Sequence, residues 1–518
     1  MDVSFGTWWE AIAERMPEAV ALSEPGFERG YGEFEDRAAR LAGALAAAGI
    51  GAGDAVACYL HNGAAYLEAV FAAFKIGAVP VNVNYRYTRH ELTELLADAG
   101  AKALVHSAEL AGNIVNLPPM RLVVSTDELD ELLAASAPRP REPRPGTDTL
   151  FMYTGGTTGK PKGVIWRHSA LLNSLLVPVF RPLGASELPA TLDEAMRLAE
   201  STRDRAPRTM PVVPLMHGTG LFNSMGALLV GGRVVTARPG GLDPEHVWRR
   251  VAEQRVSTLI VAGNAVGRPL IEELLRAENV GAPHDLTSLR SVISSGMAFS
   301  DELKRPLHER AEVTVFDALA SSEGGPFAFA VTSSTDDLPS RFFPVPGARV
   351  LTADGAEVAP GETGVLAYSG PIPLGYHADE TKTAATFRDI DGRRHSIPGD
   401  LAQLEPDGAI RFLGRGSGVI NTGGEKVHPP EVEEALLAHP DVTDCLVVGL
   451  PDEHWGELVA AVVATRSPDL TAADLQTWTR RTLAGHKIPR RIALRPSLPR
   501  TPAGKLEIAL ARELLDNP

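Results

Sequence analysis

The stretch YTGGTTGKPKG, residues 153–163, is the most informative part of this chain. It follows an apolar run, TLFMY at residues 149–153, which predicts a buried strand. Glycines and threonines in such a loop allow backbone N–H groups and hydroxyls to converge on an anion. The sequence therefore predicts a phosphate-binding loop, typical of a nucleotide site, at the end of a strand.

The P-loop of ATPases and GTPases is the obvious alternative. Its pattern, GxxxxGK[ST], requires a glycine five residues before Gly159 and a hydroxyl after the lysine. Thr154 and Pro161 occupy those positions. Pro161 also disfavours helical geometry at Lys160, so a helix cannot begin there as it does in a P-loop. A surface loop without a ligand is the less specific interpretation that remains.

Composition indicates a globular protein of at least two domains. The 518 residues exceed the roughly 250–300 that one hydrophobic core supports. A formal charge of −15 disfavours a nucleic-acid partner. The only cysteines, Cys58 and Cys445, are far apart, which suggests neither a disulfide framework nor a zinc site. Without a signal peptide or a long apolar segment, we expect no membrane span and a cytoplasmic location.

Helix and strand patterns predict an α/β fold with a large body and a small C-terminal domain. Helices are expected over residues 34–48 and 66–75, each ended by glycine, with strands between them. Turn signals between residues 342 and 412 predict a small β-barrel-like unit packed with the body. After a glycine-rich stretch the pattern restarts with helices over 430–438 and 471–484. We place the domain boundary at residues 415–418, which gives a large N-terminal body over 1–414 and a small α+β domain over 419–518.

Further motifs resemble, in sequence order, those of the adenylate-forming superfamily of acyl-CoA synthetases, firefly luciferases and peptide-synthetase adenylation domains. The resemblance runs from about Gly30 to Lys505. The motifs that carry it, besides residues 153–163, are PLMHGTG (214–220), SSGMA (294–298), LASSE (319–323), PGD (398–400), GRGSG (414–418), NTGGEKV (421–427) and LPRTPAGK (498–505).

The resemblance implies an ATP site in which Glu323 and Thr154 hold Mg²⁺. Leu319 and Ala320 stand where the family usually has an aromatic residue and glycine, so adenine stacking is expected to be weak. The nucleotide-binding residues that it implies are Thr154, Gly155, Gly156, Thr157, Thr158, Gly159, Lys160, Ser295, Gly296, Leu319, Ala320, Ser321, Ser322, Asp400 and Arg415.

The same resemblance implies catalytic roles for Lys505, Glu323, Thr154 and His217. Coenzyme A is expected to contact Gly423, Gly424 and Lys426. The resemblance also implies that residues 1–414 are the adenylation body, that 415–418 are a hinge and that 419–518 form a mobile domain. Ser417 is expected to be the hinge residue, where the family usually has Asp or Lys. The small residues among the pocket candidates would leave room for a bulky acid or would pack tightly. The implied acyl pocket comprises His217, Gly218, Asn223, Gly263, Asn264, Gly296 and Met297.

The function implied is an AMP-forming ligase that converts a hydrophobic carboxylic acid, ATP and CoA into an acyl-CoA. The sequences of residues 80–87 and 420–427 are most similar to those of bacterial synthetases for fatty acids, steroid side-chain acids and polycyclic terpenoid acids. Two alternatives stay open: a ligase that loads a separate carrier protein, and a non-catalytic ATP-binding homologue. The sequence leaves the oligomeric state open, with a homodimer as one candidate.

Overall fold

The computed structural model describes residues 1–154, 161–238, 240–415, 418–422, 425–452, 456–483, 485–498 and 508–516. The chain forms two compact units, of which the first comprises Met1–Gly347 with Tyr368–Ser396 and the second Ala348–Ala367 with Ile397–Pro518. The α-helices are α1 (Phe5–Arg15), α2 (Tyr31–Ala47), α3 (Ala64–Lys75), α4 (Arg89–Asp98), α5 (Thr126–Ala135), α6 (His168–Phe180), α7 (Leu192–Ser201), α8 (Gly218–Leu228), α9 (Pro244–Glu253), α10 (Gly263–Asn279), α11 (Asp301–His308), α12 (Glu380–Thr386), α13 (Pro429–Leu437), α14 (Ala472–Thr479) and α15 (Ile508–Asp516).

Strands supply most of the remaining regular structure, and their bounds follow in chain order. They are β1 (Val20–Glu24), β2 (Phe27–Gly30), β3 (Ala55–Tyr59), β4 (Val79–Asn82), β5 (Ala101–His106), β6 (Leu122–Ser125), β7 (Thr149–Thr154), β8 (Lys162–Arg167), β9 (Arg208–Pro211), β10 (Arg233–Val235), β11 (Thr258–Val261), β12 (Ser291–Ser295), β13 (Thr314–Ser321), β14 (Gly325–Thr332), β15 (Phe343–Pro344), β16 (Ala348–Leu351), β17 (Thr363–Tyr368), β18 (Gly375–Tyr376), β19 (Phe387–Ile390), β20 (Arg393–Ser396), β21 (Asp400–Leu404), β22 (Ile410–Arg415), β23 (Ile420–Thr422), β24 (Glu425–Val427), β25 (Val442–Asp452), β26 (Gly456–Thr465) and β27 (Arg491–Arg495).

Two large sheets form the first unit. One has the strand order β15-β14-β13-β12-β11-β9-β10-β1-β2, and its strands from β13 to β1 are parallel. The other has the order β18-β8-β7-β4-β3-β5-β6, in which β7, β4, β3, β5 and β6 are parallel. Helices alternate with these strands along the chain, which confirms the predicted α/β class.

An aromatic cluster fills the core beside the second of these sheets. The ring of Trp9 lies 4.3 Å from that of Phe34, 4.6 Å from that of Phe71 and 5.1 Å from that of Tyr31. All four side chains are almost completely buried. Such aromatic pairs contribute about 0.5–1.5 kcal/mol each beyond the burial of their area. This core packs α1, α2 and α3 together.

The second unit combines two small sheets with α13, α14 and α15. One sheet has the order β24-β23-β26-β25, and β27 pairs with β26 in parallel. In the other, β17 pairs with β16 and β21, and β21 pairs with β22. The described strands form no closed barrel, whereas a barrel-like unit was predicted, because β22 is an edge strand that pairs with β21 alone among them.

Local sequence signals explain where several helices begin. Thr471 caps α14, since its hydroxyl accepts from the N–H of Asp474, as the Thr-x-x-Asp pattern predicts. The predicted helix over residues 471–484 ends early, at Thr479. The next residues form turns with i to i+3 bonds, such as Thr482 N–H to the Thr479 carbonyl.

Candidate active site

The predicted phosphate-binding stretch lies at the end of a β-hairpin. Strands β7 and β8 are antiparallel, and Thr154 lies directly opposite Lys162. The stretch between them begins and ends on paired strands, whereas a P-loop leads from a strand into a helix. Six of the predicted nucleotide-binding residues lie outside the described residues: Gly155, Gly156, Thr157, Thr158, Gly159 and Lys160.

Most of the other site candidates in the first unit lie at one edge of the larger sheet. Strands β9, β11, β12 and β13 are parallel neighbours, so their carboxyl ends meet there. Open α/β sheets bind ligands in the crevice at this edge. The candidates at or just after these ends are His217, Gly218, Gly263, Asn264, Ser295, Gly296, Met297, Leu319, Ala320, Ser321, Ser322 and Glu323.

Asn82, at the end of β4, connects the hairpin to the segment after β9. Its Nδ2 donates to the carbonyls of Tyr153 at 2.9 Å and Met216 at 2.6 Å. Its Oδ1 accepts from the Tyr153 N–H at 2.6 Å. One buried amide therefore fixes the residue before Thr154 and the residue before His217.

Glu323 lies in the turn between β13 and β14, and its carboxylate is held by Tyr376. The Tyr376 hydroxyl donates to Glu323 Oε1 at 2.8 Å. The exposed fractions of the two residues are 6% for Tyr376 and 8% for Glu323. Trp166 of β8 donates from Nε1 to the Ser322 carbonyl at 3.0 Å. The turn that carries Glu323 is thus fastened to the strand that follows the phosphate-binding stretch.

An ion pair fixes the other side of the hairpin. Lys162 Nζ lies 2.9 Å from Asp379 Oδ2, and Asp379 also accepts from the Lys382 N–H at the start of α12. The hydrogen bond from Lys162 is the largest influence that holds the pKa of Asp379 below its ordinary value. Asp379 is therefore a carboxylate at neutral pH. Its ion pair places the Lys162 ammonium next to the start of α12.

The segments after β11 and β12 are in close backbone contact. The Gly263 N–H donates to Ser294 Oγ at 3.1 Å, and the Asn264 N–H donates to the Ala298 carbonyl at 2.8 Å. Gly263 has φ of +47°, and a Cβ there would lie 2.3 Å from the Ala298 carbonyl oxygen. Of the two interpretations of this glycine, the structure supports tight packing. At Gly296, by contrast, an added Cβ would meet open space.

A buried ion pair lies beside β12 in the larger sheet. Lys304 Nζ lies 3.1 Å from Asp317 Oδ2, and both side chains are almost fully buried. Burial is the main influence and raises the pKa of Asp317, while Lys304 and a hydrogen bond with Ser294 lower it. Because Ser294 also accepts from Gly263, one network joins the ends of β11, β12 and β13.

His217 and two other acyl-pocket candidates lie at the start of α8. His217 is the N-cap residue, and its carbonyl accepts from the Leu221 N–H at 2.9 Å. Asn223 donates from Nδ2 to the Thr219 carbonyl at 2.8 Å, within its own helix. A Cβ at Gly218 would lie 3.2 Å from the Phe222 ring. The three candidates are close in sequence and structure, while their contact with an acid stays a prediction.

The second unit contains the remaining candidates. Asp400 begins β21 and pairs with Arg415, the last residue of β22. Lys426 of β24 pairs with Asn421 of β23. Only the backbone positions of Arg415 and Lys426 are described, and Ser417, Gly423, Gly424 and Lys505 lie outside the described residues. Their predicted roles stay predictions.

Neither a metal cluster nor a membrane-spanning helix is found among the described residues. No cluster of three or more His, Cys, Asp or Glu side chains that would hold a metal ion is found there. The predicted magnesium role of Glu323 stays a prediction; a single carboxylate suffices for Mg²⁺ that arrives with phosphate oxygens and water. None of the described helices combines the length and apolarity that a membrane crossing requires.

Comparison with known proteins assigns the family. The pattern of the AMP-binding enzymes matches residues 9–377, and that of the AMP-binding enzyme C-terminal domain matches residues 431–505. The chain belongs to the AMP-binding enzyme family. This assignment confirms the predicted adenylate-forming, acyl-CoA synthetase type of enzyme.

Named relatives of this AMP-binding enzyme cover almost its whole length. It is 37% identical to a 3-oxocholest-4-en-26-oate–CoA ligase of Rhodococcus rhodochrous, over 97% of this chain and 94% of the relative. It is 36% identical to a medium/long-chain-fatty-acid–CoA/3-oxocholest-4-en-26-oate–CoA ligase of Mycolicibacterium smegmatis, over 98% and 95%. The fold matches that of an anthranilate CoA ligase in complex with anthranoyl-AMP, with a TM-score of 0.85, 23% identity and coverage of 99% and 98%.

Three residues that the sequence reasoning did not place in the site help to build it: Asn82, Tyr376 and Asp379. A weak signal existed for Asn82, since it is a polar residue at the end of the apolar strand VPVN. Tyr376 and Asp379 lie outside the motifs quoted from the sequence, and neither residue type indicated its partner. Their roles depend on neighbours brought together by the fold.

Proposed function

We propose that this AMP-forming acyl-CoA synthetase activates a fatty or steroid side-chain acid, or a polycyclic terpenoid acid, with MgATP and transfers the acyl group to CoA. The observation that carries the proposal is the carboxyl edge of β9, β11, β12 and β13, where the predicted acid-facing and nucleotide-facing residues meet beside the β7–β8 hairpin. The named activities of the relatives on steroid and fatty acids support this choice of substrate.

In the first half-reaction, a carboxylate oxygen of the acid attacks the α-phosphorus of ATP. The bond from that phosphorus to the bridging oxygen breaks, and pyrophosphate leaves with the bond electrons. The 154–160 stretch is proposed to hold the β- and γ-phosphates through backbone N–H groups and hydroxyls. Glu323 is proposed to face the Mg²⁺ that accompanies them, and Lys505 to neutralise the two approaching anions.

Asp400 and Arg415 are proposed to contact the ribose, and Ser295, Gly296 and residues 319–322 to surround the adenine. Leu319 supplies apolar contact in place of aromatic stacking. Titration of the Asp400→Ala variant with ATP tests the proposed ribose contact. A dissociation constant raised about ten-fold is expected for the loss of hydrogen bonds to two hydroxyls, whereas an unchanged constant would remove Asp400 from the site.

In the second half-reaction, the CoA sulfur attacks the acyl carbon, the bond to the AMP oxygen breaks, and the thiol proton passes to water. The segment from Gly423 to Lys426 is proposed to line the path of the pantetheine arm. Rotation of residues 419–518 about Ser417 would exchange Lys505 for that segment. Accordingly, Lys505→Ala should abolish adenylate formation yet spare thioester formation from supplied acyl-AMP, and equal loss of both would contradict this division.

The acid is proposed to lie among His217, Gly218, Asn223, Gly263, Asn264, Gly296 and Met297. Gly296 faces open space, and the exposed fraction of Met297 is 36%. An uncovered apolar side chain next to open space suits an acid with a large hydrophobic body. Gly263 contributes by allowing two segments to approach each other closely.

Mass spectrometry of the reaction products tests the proposal. The protein is incubated with MgATP, CoA and a mixture of aliphatic, aromatic, steroidal and diterpenoid acids. An acyl-CoA of an aliphatic or polycyclic acid is the expected product. Acyl-AMP without thioester would indicate a carrier-protein acceptor, and the absence of carboxylate-dependent pyrophosphate release would indicate a non-catalytic homologue.

The cytoplasmic location and the homodimer stay predictions. Light scattering after gel filtration checks the homodimer.

A further inference from the structure

We infer that Tyr376 is a positioning residue that sets the direction of the Glu323 carboxylate. The inference rests on the proposed function, in which Glu323 faces the magnesium of MgATP. The Tyr376 hydroxyl donates to Glu323 Oε1 at 2.8 Å, and both residues are buried. A hydrogen bond to an ionised carboxylate is stronger and more directional than one between neutral groups.

The phenol ring of Tyr376 is itself fixed from several sides. Its backbone pairs with Val164 of β8, and its N–H donates to Thr383 Oγ1 at 2.9 Å. The Phe387 ring meets it edge-on at 6.1 Å, and Lys382 Nζ lies 4.2 Å from its centroid. Because the ring cannot turn freely, its hydroxyl reaches Glu323 from one direction.

The segment that carries Tyr376 also contacts the start of β8, in the β7–β8 hairpin that flanks the phosphate-binding stretch. The His377 N–H donates to the Gly163 carbonyl at 2.7 Å, and Asp379 pairs with Lys162 at 2.9 Å. Residues 375–379 therefore contact both the hairpin and the turn that carries Glu323. This arrangement places the carboxylate in a fixed relation to the strand that leaves the phosphate-binding stretch.

The chemistry of the carboxylate explains why its direction matters. A carboxylate has two oxygens and about four lone-pair sites, and Tyr376 occupies one of these on Oε1. The same hydrogen bond sets the direction of the remaining lone pairs of the Glu323 carboxylate. Mg²⁺ demands near-octahedral geometry and takes few protein ligands, so a misdirected carboxylate binds it poorly. Loss of the hydroxyl should therefore weaken MgATP more than ATP without metal.

Isothermal titration calorimetry of Tyr376→Phe tests this inference without any acid or turnover. The dissociation constant of MgATP should rise about ten-fold, the lower end expected for one lost hydrogen bond to a charged group. The dissociation constant of ATP measured in EDTA should stay unchanged. Tyr66→Phe is the matched control: Tyr66 is buried in the same unit, its hydroxyl has no hydrogen-bond partner among the described residues, and both constants should keep their wild-type values.

A double-mutant cycle with Glu323→Gln identifies the route of the effect. If Tyr376 acts through Glu323, Tyr376→Phe should add little in the Glu323→Gln background. Equal losses in both backgrounds, or equal weakening of MgATP and metal-free ATP, would overturn the inference and indicate a general packing role. If Tyr376→Phe does not fold, Glu323→Asp, which withdraws the carboxylate from the hydroxyl, is measured instead, and unchanged MgATP affinity there overturns it.

The wild-type titration separates this inference from the proposed function. Wild-type protein that binds no MgATP would overturn the proposed function, and the inference with it. Wild-type protein that binds MgATP, together with an unaltered Tyr376→Phe variant, would overturn the inference alone.

Discussion

Replacement of Asn82 by alanine is expected to weaken both the stability of the first unit and its affinity for MgATP. The side chain is 6% exposed and makes three hydrogen bonds to backbone groups, two with Tyr153 and one with Met216. Each such bond contributes about 1 kcal/mol net, so the variant should lose about 3 kcal/mol of unfolding free energy. The released strand end precedes Thr154 directly, so phosphate binding should suffer as well.

Asn62→Ala is the matched control for this prediction. Asn62 also makes three hydrogen bonds to backbone groups, with Pro211, Val213 and Leu215, but none with β7. We expect a comparable loss of stability and an unchanged dissociation constant of MgATP. Because Asn62 is also bonded to the segment after β9, the contrast between the two variants separates general destabilisation from loss of the link between β4 and β7.

Urea unfolding followed by tryptophan fluorescence gives the first quantity, because Trp8, Trp9, Trp166 and Trp248 are all buried in the first unit. Calorimetric titration of MgATP gives the second, where about a ten-fold weakening is expected for Asn82→Ala alone. An Asn82→Ala variant with wild-type stability, or one that affects MgATP no more than Asn62→Ala does, would refute the reasoning.

Three further predictions follow from the described contacts. Burial raises the pKa of Glu433 from 4.5 to about 7, so its contribution to stability falls as pH rises between these values; Glu433→Gln should flatten that part of the pH dependence of the melting temperature, and parallel profiles would contradict this. Gly263→Ala would place a Cβ 2.3 Å from the Ala298 carbonyl oxygen, so we expect a loss of about 1–3 kcal/mol of unfolding free energy and a raised KM for the acid, checked by urea unfolding and initial rates. Lys162→Ala and Asp379→Asn should each raise the KM for MgATP, and their double variant should show less than the product of the two effects; full additivity would exclude coupling through the ion pair.

Local patterns in the sequence predicted much of the secondary structure. The strand expected over 149–153 is Thr149–Thr154, and the helix expected over 66–75 is Ala64–Lys75. Glycine and capping signals act within a few residues, so they can be recognised without the fold. The helix over 471–484 was predicted too long, because side-chain periodicity does not report where turns with i to i+3 bonds replace helical ones.

The contacts that assemble the site depend on distant parts of the chain. Asn82 reaches residues 71 and 134 positions away, and Tyr376 reaches Glu323 across 53 positions. Periodicity indicates which face of a strand is buried but not which strand lies beside it. Gly263 shows a related limit: a glycine that leaves room for a ligand and one that permits close backbone packing look alike in sequence, and the structure distinguishes them.

The order of strands at the carboxyl edge has an evolutionary consequence. Five of the residues proposed to face the acid follow β9 and β11, whereas Leu319 to Glu323, proposed to face the nucleotide, lie at the end of β13 and in the turn after it, and Thr154 belongs to a separate sheet. Substitutions in the segment after β9 can therefore accumulate without a change in the residues at the end of β13. A lineage built on this sheet is free to acquire new carboxylic acids one segment at a time, while ATP stays the shared activating substrate.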